Sequence, residues 1–148
     1  MDRQAIIELL IEHSEAPHHH GKLSDADVIM PGGNPGCGDV ITMYLKVDRE
    51  HDQVADVAFE GEGCTISQAA ASILTDLVEH APLEDIEKMD YHAMMEVVGR
   101  EVAQTRPRCA TLALGTLKAA VKKYRADRIR ETLGESAPTS DAPEKFEI

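Results

Sequence analysis

The run from Val40 to Glu60 restricts the possible folds more than any other part of the chain. Ile41, Met43, Leu45 and Val47 alternate with Thr42, Tyr44 and Lys46, the period of a half-buried β-strand. A polar turn, Asp48 to Asp52, leads into Ala55, Val57 and Phe59 alternating with Asp56, Ala58 and Glu60. Two such strands in succession predict an antiparallel hairpin with one apolar face. Helical segments on either side can cover that face.

The approach to the hairpin is Gly32-Gly33-Asn34-Pro35-Gly36-Cys37-Gly38-Asp39. Glycines open backbone angles closed to other residues, and Pro35 fixes its own φ, so the stretch reads as a shaped loop. Glycines leave Cys37 with little steric cover. If the backbone is extended here, Cys37 and Asp39 project to the same side and place a thiolate and a carboxylate within reach of one ion. A turn holding an inert, buried cysteine is the competing reading. After the hairpin, Glu60-Gly61-Glu62-Gly63 breaks the second strand and Cys64 follows. Thr65-Ile66-Ser67-Gln68 has the form of a capping box. Ile66, Ala69, Ala70, Ile73, Leu74, Leu77 and Val78 then recur at helical spacing. Cys64 is thereby expected at the positive end of a helix. Arg106-Pro107-Arg108-Cys109 opens the longest predicted helix, with Ala110, Ala113, Leu114, Leu117, Val121 and Tyr124 on its apolar face.

Other segments carry less chemistry. Asp2 to His13 has the pattern of an amphipathic helix, and Val28 to Met30 that of a short edge strand. His18, His19 and His20 are expected in a solvated loop, because consecutive residues diverge and seldom close on one ion. Short helices are predicted over Leu83 to Met89 and Tyr91 to Glu101. Residues 1–130 form the expected domain, and 131–148, rich in small, acidic and proline residues, an acidic disordered tail.

The 148 residues suffice for one domain with a core of its own. No apolar run approaches a membrane span, and no signal-peptide succession opens the chain. Three cysteines cannot all pair within one chain, which points to a reducing, cytoplasmic compartment. A net charge of -12 argues against wrapping nucleic acid. With no Trp, three Tyr and two Phe, aromatic platforms for stacking bases are few.

All three cysteines lie where an element begins, and such junctions can converge. A helix N-terminus lowers a thiol's pKa, and Arg108, with Arg106, would add to that effect at Cys109. Three thiolates and Asp39 supply the four ligands of a tetrahedral soft-metal site. No two cysteines form a C-x-x-C pair, so separate core cysteines stay open as the alternative. Cysteine-nucleophile chemistry needs a histidine base, and His51, His80 and His92 read as surface residues.

Asn34-Pro35-Gly36-Cys37-Gly38-Asp39, Phe59-Glu60-Gly61-Glu62-Gly63-Cys64-Thr65-Ile66-Ser67 and Arg108-Cys109-Ala110-Thr111-Leu112-Ala113 together resemble the IscU/SufU/NifU N-terminal family of iron–sulfur cluster assembly proteins. The resemblance runs from about Ile6 to Tyr124. It implies an α+β domain of SufE/IscU-like architecture, a small antiparallel β-sheet of about three strands with helices packed on one side and the cysteines gathered at one exposed end. It further implies a non-enzymatic scaffold. A cysteine desulfurase would deliver sulfur, iron would be added, and a transient [2Fe-2S] cluster would be built and passed to apo iron–sulfur proteins. Cys37, Cys64 and Cys109 would be ligands to the cluster or to zinc, with Asp39 as the fourth, labile ligand. Neither nucleic acid nor membrane would be a partner, and self-association is left open.

Two features divide the branches of the family. The IscU branch has a histidine directly before its last cysteine and a Leu-Pro-Pro-Val-Lys chaperone motif upstream. Here that position is Arg108, and Val102 to Arg108 does not match the motif. The basic segment resembles the SufU branch, with Arg106 where the desulfurase is engaged. SufU proteins carry an insertion between the second and third cysteines, for which the 44 residues between Cys64 and Cys109 leave no room. A zinc-bound sulfur acceptor for the desulfurase is therefore the alternative function.

Overall fold

A computed structural model of the chain describes residues 3–34, 38–105, 107–133 and 146–147. Helix α1 (Arg3–Glu15) precedes three strands, β1 (Val28–Asn34), β2 (Asp39–Asp48) and β3 (Gln53–Glu62). Helices α2 (Thr65–Val78), α3 (Leu83–Lys88), α4 (Tyr91–Val98), α5 (Arg100–Thr105) and α6 (Pro107–Thr132) follow, and β4 (Phe146–Glu147) comes last. The sheet order is β3-β2-β1-β4; β1, β2 and β3 are antiparallel neighbours, and β4 adds a two-residue parallel pairing at Gly32 and Gly33. This is the expected α+β architecture.

The alternation seen in the sequence becomes the core. Ile41, Met43, Leu45, Val57 and Phe59 are fully buried, with α6 against β1 and β2, and α2 against β3 and α6. Burying a side chain the size of Phe59 contributes about 1.5–3 kcal/mol relative to leaving it exposed. The opposite sheet face leaves Ile29 and Val40 exposed. All six apolar positions expected on the long helix are buried in α6.

Several local readings change in three dimensions. β1 does not stop at Met30 but runs on through Gly32, Gly33 and Asn34, paired with Ile41, Val40 and Asp39. Half of the expected glycine loop is therefore strand. The reason lies in α6: a Cβ on Gly32 would sit 2.0 Å from Thr116 Oγ1, so glycine lets the helix close on the sheet. β3 likewise extends to Glu62 instead of breaking at Glu60, and Ala55 falls at a bulge opposite Lys46 and Val47. The bulge turns Val54 inward, where it is fully buried. The helix read as Tyr91 to Glu101 is two helices, divided at Gly99 with φ +100°. Leu77, expected on the apolar face of α2, is exposed.

The histidine loop is not simply solvated. Gly21 N–H donates to Phe59 O at 2.9 Å and Phe59 N–H donates to His19 O at 3.0 Å, so the loop pairs with the outer edge of β3. His18 and His19 also face Asp76 on α2, and His19 faces Glu79 at its C-terminal cap. Of the segment 131–148, Glu131 and Thr132 complete α6, and residues 134–145 lie outside those described. Among the described residues no helix is long and apolar enough to cross a membrane.

Candidate metal centre

Three elements that are remote in sequence meet at one end of the sheet. Asp39 begins β2, Cys64 is the residue before α2, and Cys109 lies in the first turn of α6. Pairing of Val40 with Glu62 brings the end of β3, and with it Cys64, beside the start of β2. Packing of α6 across β1 and β2 then delivers Cys109 from the other side.

Asp39 is the centre of the group. It is only 4% exposed, and its Oδ1 accepts the Cys64 backbone N–H at 3.0 Å. Its Oδ2 accepts the Cys109 thiol at 2.9 Å and lies 3.8 Å from the Cys64 sulfur. One donor atom from each of Asp39, Cys64 and Cys109 falls within 4.8 Å of the others. Cys37, two positions before Asp39, lies outside the described residues, as does Arg106. Arg108 is exposed.

The surroundings refine one expectation and correct another. Asp39 and Cys109 are buried and Cys64 is half-buried, while Gly38, Gly63 and Arg108, next to them in the chain, are exposed, so the group sits just under the surface at this end of the sheet. Burial above all, and then hydrogen bonding to Asp39 and Cys64, pushes the Cys109 thiol well above its ordinary range. The helix N-terminus was expected to act in the opposite direction. Desolvation and a neighbouring carboxylate both disfavour a thiolate, and together they outweigh half a unit of helix charge. In this geometry Cys109 donates its thiol proton to Asp39, and a cation held between them would have to displace that proton.

Two residues near the group escaped the sequence reading. Ser67 Oγ donates to the Cys64 carbonyl at 3.0 Å and lies 3.8 Å from the Cys64 sulfur. Its position three residues after a cysteine at a helix start was the available signal, but it was read as part of a capping box. The residue at the cap is Cys64, not Thr65, and its side chain makes no capping bond. Gly63 is the other: a Cβ there would lie 2.6 Å from Asp39 Oδ1 and 2.7 Å from Ser67 Oγ. Only glycine leaves the carboxylate its place.

Two sulfurs and one carboxylate oxygen suit zinc or iron, and the three donors present fit such an ion with modest closure. Residues 6–131 match the NifU-like N-terminal domain family. The chain belongs to that family. This NifU-like domain is 35% identical to the iron–sulfur cluster assembly scaffold protein IscU of Streptococcus pyogenes serotype M1, over 78% of this chain and 81% of that protein. It is 31% identical to the zinc-dependent sulfurtransferase SufU of Bacillus subtilis strain 168, over 78% of this chain and 88% of that protein. A crystal structure described as a candidate iron–sulfur cluster assembly scaffold for the SUF system, from Fervidobacterium islandicum AW-1, is similar at a TM-score of 0.65. That structure is 27% identical, with 81% of this chain and 99% of that chain covered. The NifU-like fold thus occurs in relatives that bear scaffold names and in one that bears a sulfurtransferase name.

Proposed function

We propose that this NifU-like domain is a scaffold on which a [2Fe-2S] cluster is assembled from iron and desulfurase-derived sulfur and then transferred to apo-proteins. Cys37, Asp39, Cys64 and Cys109 are its ligands in this reading, and it has no turnover of its own. The observation that carries it is the Asp39 carboxylate placed between two cysteines from different elements. The thiolates supply soft donors and the carboxylate a harder, weaker one, which suits a site that must let go of its cargo. Asp39 also accepts the Cys109 thiol proton, which iron would displace on binding. Cysteines that must stay reduced to hold a cluster fit a reducing compartment such as the cytoplasm.

A second reading is a zinc-bound sulfur acceptor for a cysteine desulfurase. Arg108 favours it, because a guanidinium before the last cysteine is no metal ligand, and the Bacillus sulfurtransferase is a relative. Anaerobic incubation with a desulfurase, cysteine and ferrous iron separates the two, with Mössbauer and visible spectra taken on the re-isolated protein. A [2Fe-2S] signature that moves to an apo-ferredoxin is the scaffold result. Retained zinc, faster cysteine turnover and no cluster is the acceptor result.

A further inference from the structure

A second cluster of ligating side chains lies at the other end of α2. His13, in the last turn of α1, is buried, and its Nδ1 is 2.7 Å from Ser72 Oγ. The same oxygen accepts the His18 backbone N–H at 2.7 Å. Fully buried Ser72 thus fixes the His13 ring and the His18 backbone against α2. The two imidazole rings stand 4.5 Å apart, centroid to centroid. His18 Nδ1 is 2.6 Å from Asp76 Oδ2, and His19 Nε2 is 3.3 Å from Asp76 Oδ1 and 3.4 Å from Glu79 Oε2. Ser72 and Asp76, four residues apart, share one face of α2, and Glu79 stands at its C-terminal cap.

We propose that His13, His18 and Asp76, with His19 beside them, form a second metal site that takes a divalent cation of the zinc, cobalt or nickel class. One donor atom from each of His13, His18 and Asp76 lies within 4.8 Å of the other two. Around a tetrahedral ion with bonds of 2.0–2.1 Å, donors stand about 3.3 Å apart. Closure therefore needs movements on the order of 1 Å, and the His18 and Asp76 side chains, 51% and 40% exposed, are free to make them. Imidazoles with one carboxylate suit these ions better than calcium or magnesium, which want oxygen alone. Ser72 supplies the outer support that keeps metal-binding histidines oriented. Asp76 lies twelve residues after Cys64, about 18 Å along a helix, so this ion and the cysteine group are separate sites. A bound ion ties the loop after α1 to the far end of the helix that begins at Cys64.

The test is a cobalt(II) titration of the reduced, chelator-treated full chain, followed by visible absorption. Wild type is expected to show a d–d component from a nitrogen and oxygen site in addition to the sulfur-to-cobalt charge transfer and longer-wavelength d–d bands of any cobalt held by the cysteines. H18Q and D76N, both at exposed side chains, each weaken the d–d component at least about tenfold in Kd, while charge transfer stays as in wild type. D76N binding as tightly as wild type would assign the cobalt to the run of three histidines alone and overturn the site. Absence of the d–d component in wild type overturns it as well. Charge transfer is read from the same spectra, so failure here is distinct from failure of the cysteine site.

Discussion

The thiol of Cys109 and the carboxylate of Asp39 are joined by a 2.9 Å hydrogen bond across 70 residues of sequence. The same carboxylate caps the backbone N–H of Cys64. Asp39→Ala removes both acceptors at once. Losing the acceptor of both hydrogen bonds costs about 1–3 kcal/mol, to be read from urea denaturation of the metal-free protein. Under the proposed scaffold role, the same variant loaded with a cluster is expected to release it more slowly to apo-ferredoxin, because the weakest ligand is gone. Faster release would contradict the role given to Asp39.

Gly63→Ala acts on the same carboxylate from outside it. The added methyl would lie 2.6 Å from Asp39 Oδ1 and 2.9 Å from Asp39 Cγ, so the side chain must move. The expected outcome is a chain with native circular dichroism whose zinc affinity falls by about tenfold or more, the scale of a lost outer-shell contact. An unchanged zinc Kd would show that Asp39 does not hold the ion.

At Gly32 the conflict is between sheet and helix. Gly32→Ala forces a Cβ against Thr116 Oγ1, and overpacking of this kind costs about 1–3 kcal/mol. Thr116→Ala in the same chain removes the nearest atom and recovers part of that loss, so the two changes are non-additive in a denaturation cycle. Additive losses would mean that the helix does not press on β1 at this point.

Tyr44 and Glu60 make a pH-dependent pair on the sheet face away from the helices. The Tyr44 hydroxyl donates to Glu60 Oε1 at 2.6 Å. That hydrogen bond first, and then burial, pushes the phenol up to about 12. A raised pKa means that the folded chain holds this proton more tightly than the unfolded chain. The stability it contributes is intact below the ordinary value of about 10, and is lost as pH climbs through about 12. Phenolate absorbance, with Tyr44→Phe to assign the step, should show late ionisation in wild type and an earlier step in Glu60→Gln. An unchanged step in Glu60→Gln would refute the pairing.

Much of the fold was legible because it follows from local periodicity. The hairpin is legible in the alternation of Ile41 to Val47 and of Ala55 to Glu60, apart from Ala55 itself, which a bulge takes out of the pattern, and the inner face of α6 in the spacing of Ala110, Leu114, Leu117 and Val121. Errors fell where a distant element imposes the geometry. Gly32 and Gly33 looked like a loop because nothing nearby says that α6 will press on them. Tyr91 to Glu101 looked like one helix, yet Gly99 turns beneath Ile6 of α1, where a Cβ would meet Ile6 Cγ2 at 2.9 Å.

For the site, residue types and their places at the starts of elements were determined by the sequence alone: a carboxylate opening a strand, and cysteines opening two helices. Their electrostatics were decided only by the tertiary structure. Whether a cysteine at a helix N-terminus is a thiolate or a thiol depends on how much water it keeps and which charge faces it, and both are set by contacts between chain-distant segments. Packing buries Cys109 against Asp39 and thereby raises its pKa. The histidine loop teaches the same lesson, since adjacent imidazoles diverge by themselves, and only the face of α2 carrying Ser72 and Asp76 gathers His13 and His18 into one cluster.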